Sequence, residues 1–201
     1  MRVSITGELN AEHLEQAFNL IIERHENLRT IFPNQGGQAQ QVILNSLDFK
    51  LARIDLSHYE SSEIRHQEAK KVCQAEAATP FNLAKGPLIR GQLIKLTSQE
   101  HVVMLNMHHI ITDEVSMSIL IKELGVIMDG LGEGIGLDQI PVQSLPVQYL
   151  DYSIWQRKLL EEGGLLKEQL DYWQDKLAGV PECLNLATDY PRPNIPVSYT
   201  H

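Results

Sequence analysis

His108 and His109 stand side by side in the stretch "NMHHIITDEVSMSIL", with Asp113 four positions after the second histidine. An imidazole takes up and gives back protons near neutral pH, so either histidine is a candidate general base. It could equally position a reacting group and stabilise the charge that develops on it. Neighbouring residues of an extended strand point to opposite faces, so both rings cannot serve one small site. Zinc ligation fits poorly: the spacing is not His-Glu-x-x-His and no third ligand stands nearby. Asp113 has three uses open to it. It could orient the imidazole of His109, pair with a basic side chain elsewhere to hold the corner rigid, or cap the following helix by accepting its first free N–H groups. Alone, His-x-x-x-Asp is a short pattern that does not decide among these.

The elements around this corner are legible from periodicity. "RVSITG" alternates β-branched residues and reads as a strand. Asn10 is a suitable N-cap for a helix from about Ala11 to Glu26, with Leu14, Ala17, Phe18, Ile21 and Ile22 as its apolar stripe. "LRTIF" and "QQVIL" read as strands joined by a turn at residues 33–37, and a polar helix is expected over 61–78, stopped by Thr79-Pro80. "PLIRGQLIKL" and "HVVMLNMH" form a second strand pair that ends at the histidines. A helix follows Asp113, with Met117, Leu120, Ile121, Leu124 and Met128 on one face, and then a Gly-rich loop, "DGLGEGIGL". Two further helices are expected over 147–161 and 165–177, the second with Leu166, Leu170, Trp173 and Leu177 on one side. From Gly179 the chain becomes proline-rich and reads as a linker. Strands alternating with helices make this an α/β or α+β protein.

Composition narrows the setting. The 201 residues, 43% of them apolar, suffice for a substantial core. A net charge of −9 disfavours a nucleic-acid partner, and no apolar run approaches the ~20 residues that span a bilayer. The N-terminus carries no secretory pattern, and Cys73 and Cys183 stand far apart without a C-x-x-C pairing. A reducing, cytoplasmic setting without metal is the expectation.

Read together, three segments are more specific than the histidines alone. "MHHIITDEVS" resembles the H-H-x-x-x-D-G signature of condensation domains of nonribosomal peptide synthetases, relatives of the chloramphenicol acetyltransferase-like acyltransferases. "RHENLRTIF" is similar to the R-H-E-x-L-R-T-x-F segment of that family, and "YLDYSIW" to its Y-x-D-[FY]-A-V-W segment. "PFNLAKGPLIRGQLIKL" resembles the usual lead into the histidine strand. The family's first signature, around S-x-A-Q-x-R, and its later ones are missing. The resemblance therefore implies a chloramphenicol acetyltransferase-like lobe, a mixed, mostly antiparallel sheet packed by helices. It would be one half of a V-shaped domain whose active site lies in a tunnel between two lobes. Residues 1–178 would form the N-terminal lobe and 179–201 the inter-lobe linker, with the C-terminal lobe absent.

The resemblance also implies a chemistry. An acyltransferase of this kind joins a carrier-bound aminoacyl or peptidyl thioester to a carrier-bound aminoacyl acceptor, making an amide bond. The implied partners are donor and acceptor peptidyl carrier domains, the C-terminal lobe and an adenylation domain of the same megaenzyme. Substrates ride on phosphopantetheine arms of the carriers, and no cofactor is bound directly. His109 matches the histidine tied to catalysis, His108 is its structural neighbour, and Asp113 is the motif aspartate, expected to pair with Arg24. Aspartates in place of the histidines would mark a heterocyclising domain. The wording of "MHHIITD" and "LPVQYLDYSIWQR" is closer to domains joining an L-configured donor to an L-configured acceptor than to epimerisation domains. The fragment alone, with half a tunnel, is expected to be inactive.

Glu114 departs from the pattern, which has glycine there. If the corner needs a positive φ, a side chain adds about 1–2 kcal/mol of strain. A carboxylate near His109 also favours imidazolium over free base. Two readings follow: a working lobe whose Glu114 points away as a first-turn helix residue, or a degenerate platform that binds carrier proteins or tailoring enzymes.

Overall fold

A computed structural model describes residues 1–181, 187 and 189 of the chain. Four strands make the main sheet: β1 (Arg2–Thr6), β6 (Leu51–Asp55), β7 (Ile89–Lys95) and β8 (Glu100–Met107), in the order β1-β8-β7-β6. Between β1 and β6 lie α1 (Ala11–Arg24), a 3-10 turn (Glu26–Arg29) and four short strands. These are β2 (Thr30–Ile31), β3 (Asn34–Gln35), β4 (Gln38–Ala39) and β5 (Val42–Ile43). β8 pairs antiparallel with β1 and β7, whereas β6 lies parallel to β7, with Leu51 opposite Gly91. A parallel neighbour needs a crossover, and α2 (Ser62–Ala78) supplies it. The sheet is thus mixed and mostly antiparallel, as the family resemblance implied.

Alternation along β7 and β8 divides the core in two. Leu93, Val103 and Leu105 face α1, while Ile94, Val102 and Met104 face α2. α1 buries Leu14, Ala17, Phe18, Ile21 and Ile22, the five residues of its sequence stripe, and Asn10 caps it by accepting the N–H groups of Glu12 and His13. Each large side chain so buried contributes about 1.5–3 kcal/mol. α2 buries only Ala69 and Cys73, and burial pushes the Cys73 thiol up, as suits an inert cysteine.

α3 (Glu114–Gly132) packs across α1. Leu120 is buried as expected, but Ile121 is exposed, and the deeper contacts are Ile127, Gly130 and Leu131. The helix therefore runs into the segment expected as a Gly-rich loop. Gly130 explains this: a Cβ there would lie 3.2 Å from the Ile140 side chain, so glycine admits the returning chain where larger residues would push it off.

β6 was not legible in the sequence. Its five residues lie at a sheet edge, mostly exposed, and their ladder partner is some forty positions away. The β3–β4 hairpin is likewise additional to the expected pair, β2 with β5.

Compactness divides the chain into two units, Met1–Ser153 and Ile154–His201. α4 (Tyr149–Glu161) and α5 (Leu165–Lys176) fall at and beyond that boundary. Tyr149, Tyr152 and Trp155 of α4 are about half exposed, as are Leu166, Leu170, Trp173 and Leu177 of α5. A helical stripe shows that a face is apolar; it does not show what covers it. Most of the expected linker, 179–201, including Cys183, lies outside the described residues.

Candidate functional site

The histidines do not lie on the strand itself. β8 ends at Met107, opposite Ile89, and the His108 N–H donates to the Leu88 carbonyl at 3.0 Å. The chain then turns: the Ile111 N–H donates to the His108 carbonyl at 3.1 Å, which places His109 and Ile110 at the tip, both exposed. The Ile110 N–H donates to Nδ1 of His108 at 3.0 Å. Nδ1 is then an acceptor, and the proton of a neutral His108 belongs on Nε2.

His108 is held from its other side by an aromatic edge. The Phe81 ring meets it at 5.9 Å between centroids, with planes at 84°. The Arg90 guanidinium lies over the Phe81 ring at 3.9 Å, donates to the Thr79 carbonyl, and is ion-paired with Glu76 of α2. Phe81 and Arg90 belong to the lead segment "PFNLAKGPLIRG", so that stretch braces His108. Neither was singled out from the sequence, although both stand inside a segment that carried the resemblance.

Asp113 caps α3. The Ser116 N–H donates to its Oδ1 at 2.8 Å, and the Ser116 hydroxyl accepts from the Asp113 N–H at 2.8 Å, which closes a capping box. Hydrogen bonds from the Ser116 N–H first, and then from the Ser116 side chain, hold the Asp113 carboxyl below its ordinary value. Smaller help comes from the Val115 N–H and the charge of His109.

Arg24 does not meet Asp113. Its Nε donates to Oε1 of Glu123 at 3.0 Å, with the two side chains 12% and 15% exposed, and a further N–H reaches the Gln143 carbonyl. His25 Nε2 lies 2.7 Å from the other Glu123 oxygen. The reason is geometric. Arg24 ends α1 against the middle of α3, and Glu123 stands ten residues beyond Asp113, about 15 Å further along the helix. The expected Arg24–Asp113 pair is therefore replaced by Arg24–Glu123. Arg29 pairs with Glu26 at 3.4 Å.

Glu114 is the first residue of α3 and is exposed. No non-glycine residue has a positive φ among the described residues, so the strain considered for it is absent. A carboxylate in the first turn also suits the helix dipole. Beside the corner lies a cavity of about 300 Å³, lined by Asn27, Ile111, Thr112, Ser116, Ile119 and Leu145 among others. What emerges is an exposed imidazole on a braced turn, next to a helix N-terminus. Such a group can accept a proton from a nucleophile or donate to a developing oxyanion.

Against known proteins, the profile of the condensation domain matches residues 1–196. The chain belongs to the condensation-domain family. It is 40% identical over 190 residues to malpibaldin synthetase of Mortierella alpina, a match covering 94% of this chain and 3% of that protein. Against bacitracin synthase 2 of Bacillus licheniformis the identity is 37%, over 97% of this chain and 7% of the other. Condensation-domain folds recur among solved structures. The X-domain bound to OxyB from teicoplanin biosynthesis superposes with a TM-score of 0.76 at 26% identity, covering 97% of this chain and 42% of that one. The starter condensation domain of rhizomide synthetase reaches 0.78 at 19% identity, over 90% and 42%. The chain thus spans a few per cent of its curated relatives and somewhat under half of a solved condensation domain. Among the described residues no helix is long and apolar enough to cross a membrane.

Proposed function

We propose that this chain is the N-terminal lobe, residues 1–178, of a cytoplasmic condensation domain that makes amide bonds in nonribosomal peptide synthesis, with 179–201 leading towards a second lobe. The observation that carries the reading is the turn itself: His109 is exposed at its tip, while His108, Ile111 and Asp113 on either side are fixed by hydrogen bonds or burial. Family membership supports the reaction class.

In this reaction the amine of a carrier-bound acceptor attacks the thioester carbonyl of a carrier-bound donor. The C–N bond forms, the C–S bond breaks, and the phosphopantetheine thiol leaves. His109 removes the proton that the amine must lose or stabilises the tetrahedral oxyanion. His108, Asp113 and Arg24 act by holding its surroundings. The partners are donor and acceptor peptidyl carrier domains, a C-terminal lobe and an adenylation domain, and the substrates are an L-configured donor and an L-configured acceptor.

A second reading, a non-catalytic platform, is favoured by Glu114 in the glycine position and by the likeness to a domain solved in complex with OxyB. Condensation assayed in a two-lobe domain containing this chain, with both carriers loaded, separates the two. Turnover by wild type that His109→Ala abolishes supports the catalytic reading. Absence of turnover by wild type sinks it, and restoration by Glu114→Gly marks a degenerate site.

A further inference from the structure

We infer that Asn27 is a positioning residue for His109. Its effect on turnover rests on the condensation reading above, whereas its effect on the turn rests on geometry alone. Asn27 occupies the unspecified position of the Arg-His-Glu-x-Leu segment, in the 3-10 turn Glu26–Arg29. That turn is itself anchored: the Glu26 N–H donates to Gln148 Oε1 at 3.2 Å, Thr30 Oγ1 donates to the Glu26 carbonyl at 2.8 Å, and Leu28 is buried.

From this platform Nδ2 of Asn27 donates to the Ile111 carbonyl at 2.7 Å, a contact between residues 84 positions apart. Ile111 lies two residues after His109, closes the histidine turn with its own N–H, and is 2% exposed. The end of the turn is thus held at three points: its N–H, its side chain and its carbonyl. The His109 side chain makes no hydrogen bond among the described residues. Where its ring stands is therefore set by its backbone, and the backbone by Ile111.

The other end of the Asn27 amide shows what the contact is for. Oδ1 is buried and has no hydrogen-bond partner among the described residues. An apolar side chain of similar size would fill the same space. It would, however, leave the Ile111 carbonyl without its donor. The asparagine makes sense as a residue kept for its N–H.

The test uses a two-lobe condensation domain containing this chain, as wild type, Asn27→Asp and Asn27→Leu. Both variants remove the donor, and the aspartate keeps the shape if the leucine variant does not fold. A reacting group displaced by about 1 Å loses on the order of 100-fold in rate. The expected result is a kcat lower by about 10- to 100-fold, with KM for both carrier substrates within about twofold. A residue that only stabilised the fold would lower the melting temperature without that split. Hydrogen exchange at the amides of residues 110–113 is read in parallel and should quicken there while α1 stays protected. Unchanged kcat in variants of an active wild type overturns the inference. If wild type itself does not turn over, the condensation reading fails, and unchanged exchange at 110–113 then overturns the positioning role independently.

Discussion

Arg24 and Glu123 form an ion pair at 3.0 Å that ties the end of α1 to the middle of α3. With a second oxygen of Glu123 facing His25 and a second Arg24 N–H on the Gln143 carbonyl, the carboxylate and the guanidinium are each satisfied twice. The pair fixes one point of contact between α1 and α3, the helix whose N-terminus follows the histidine turn.

Breaking such a largely buried pair from one side leaves an uncompensated charge. Arg24→Ala and Glu123→Ala should each destabilise by about 3 kcal/mol. In a double-mutant cycle the two should couple by at least about 1 kcal/mol, whereas Arg24→Ala and Asp113→Ala should add independently. Denaturant unfolding measures both, and coupling of Arg24 to Asp113 instead would refute the assignment.

Glu114→Gly should not behave as a repair. With no positive φ to relieve, glycine removes a first-turn carboxylate and adds backbone freedom, costing about 0.5–1 kcal/mol. Chemical denaturation gives the stability, and condensation by the two-lobe domain gives the activity, expected within twofold of wild type. A large gain in turnover would show that Glu114 blocks the site.

Asp113 makes a pH-dependent cap. Its folded-state pKa is lowered, first by the Ser116 N–H, so its stabilising contribution is present above the ordinary carboxylate value. It is lost as the pH falls through the lowered folded value. Asp113→Asn keeps a neutral cap with no such loss. The melting temperature of wild type should exceed that of the variant at pH 7, and the gap should close as the pH falls below the ordinary carboxylate value. A gap constant with pH would mean that the charge of Asp113 contributes nothing.

Gly91 is a packing constraint in the middle of β7. A Cβ there would stand 2.6 Å from Phe49 Cζ and 3.0 Å from Leu51 Cδ1, both side chains buried under α1. Gly91→Ala should cost about 1–3 kcal/mol by overpacking, and Phe49→Leu should recover part of it. Thermal unfolding of the single and double variants checks this. Additive losses would place the strain elsewhere.

Local pattern carried most of the architecture. The α1 stripe and its Asn10 cap, α2, the β7–β8 pair and the position of the histidines at a strand end were all legible, because each depends on residues close in sequence. The family signature located His108, His109, Asp113 and Arg24, since it records which residue types occur together. Less legible were β6, whose parallel ladder is joined across α2, and the length of α3, which depends on Ile140 packing onto Gly130.

At the site the division is sharper. Residue type and spacing were enough to say that an imidazole and a helix cap stand at a strand-to-helix corner. They could not say that Arg24 meets Glu123, that Phe81 and Arg90 brace His108, or that Asn27 holds the Ile111 carbonyl. Each of those contacts joins segments brought together only when α1, α3 and the sheet pack. Periodicity along a chain reveals which face of an element is apolar, but a partner across the fold is chosen by distance and by the need to satisfy buried polar groups.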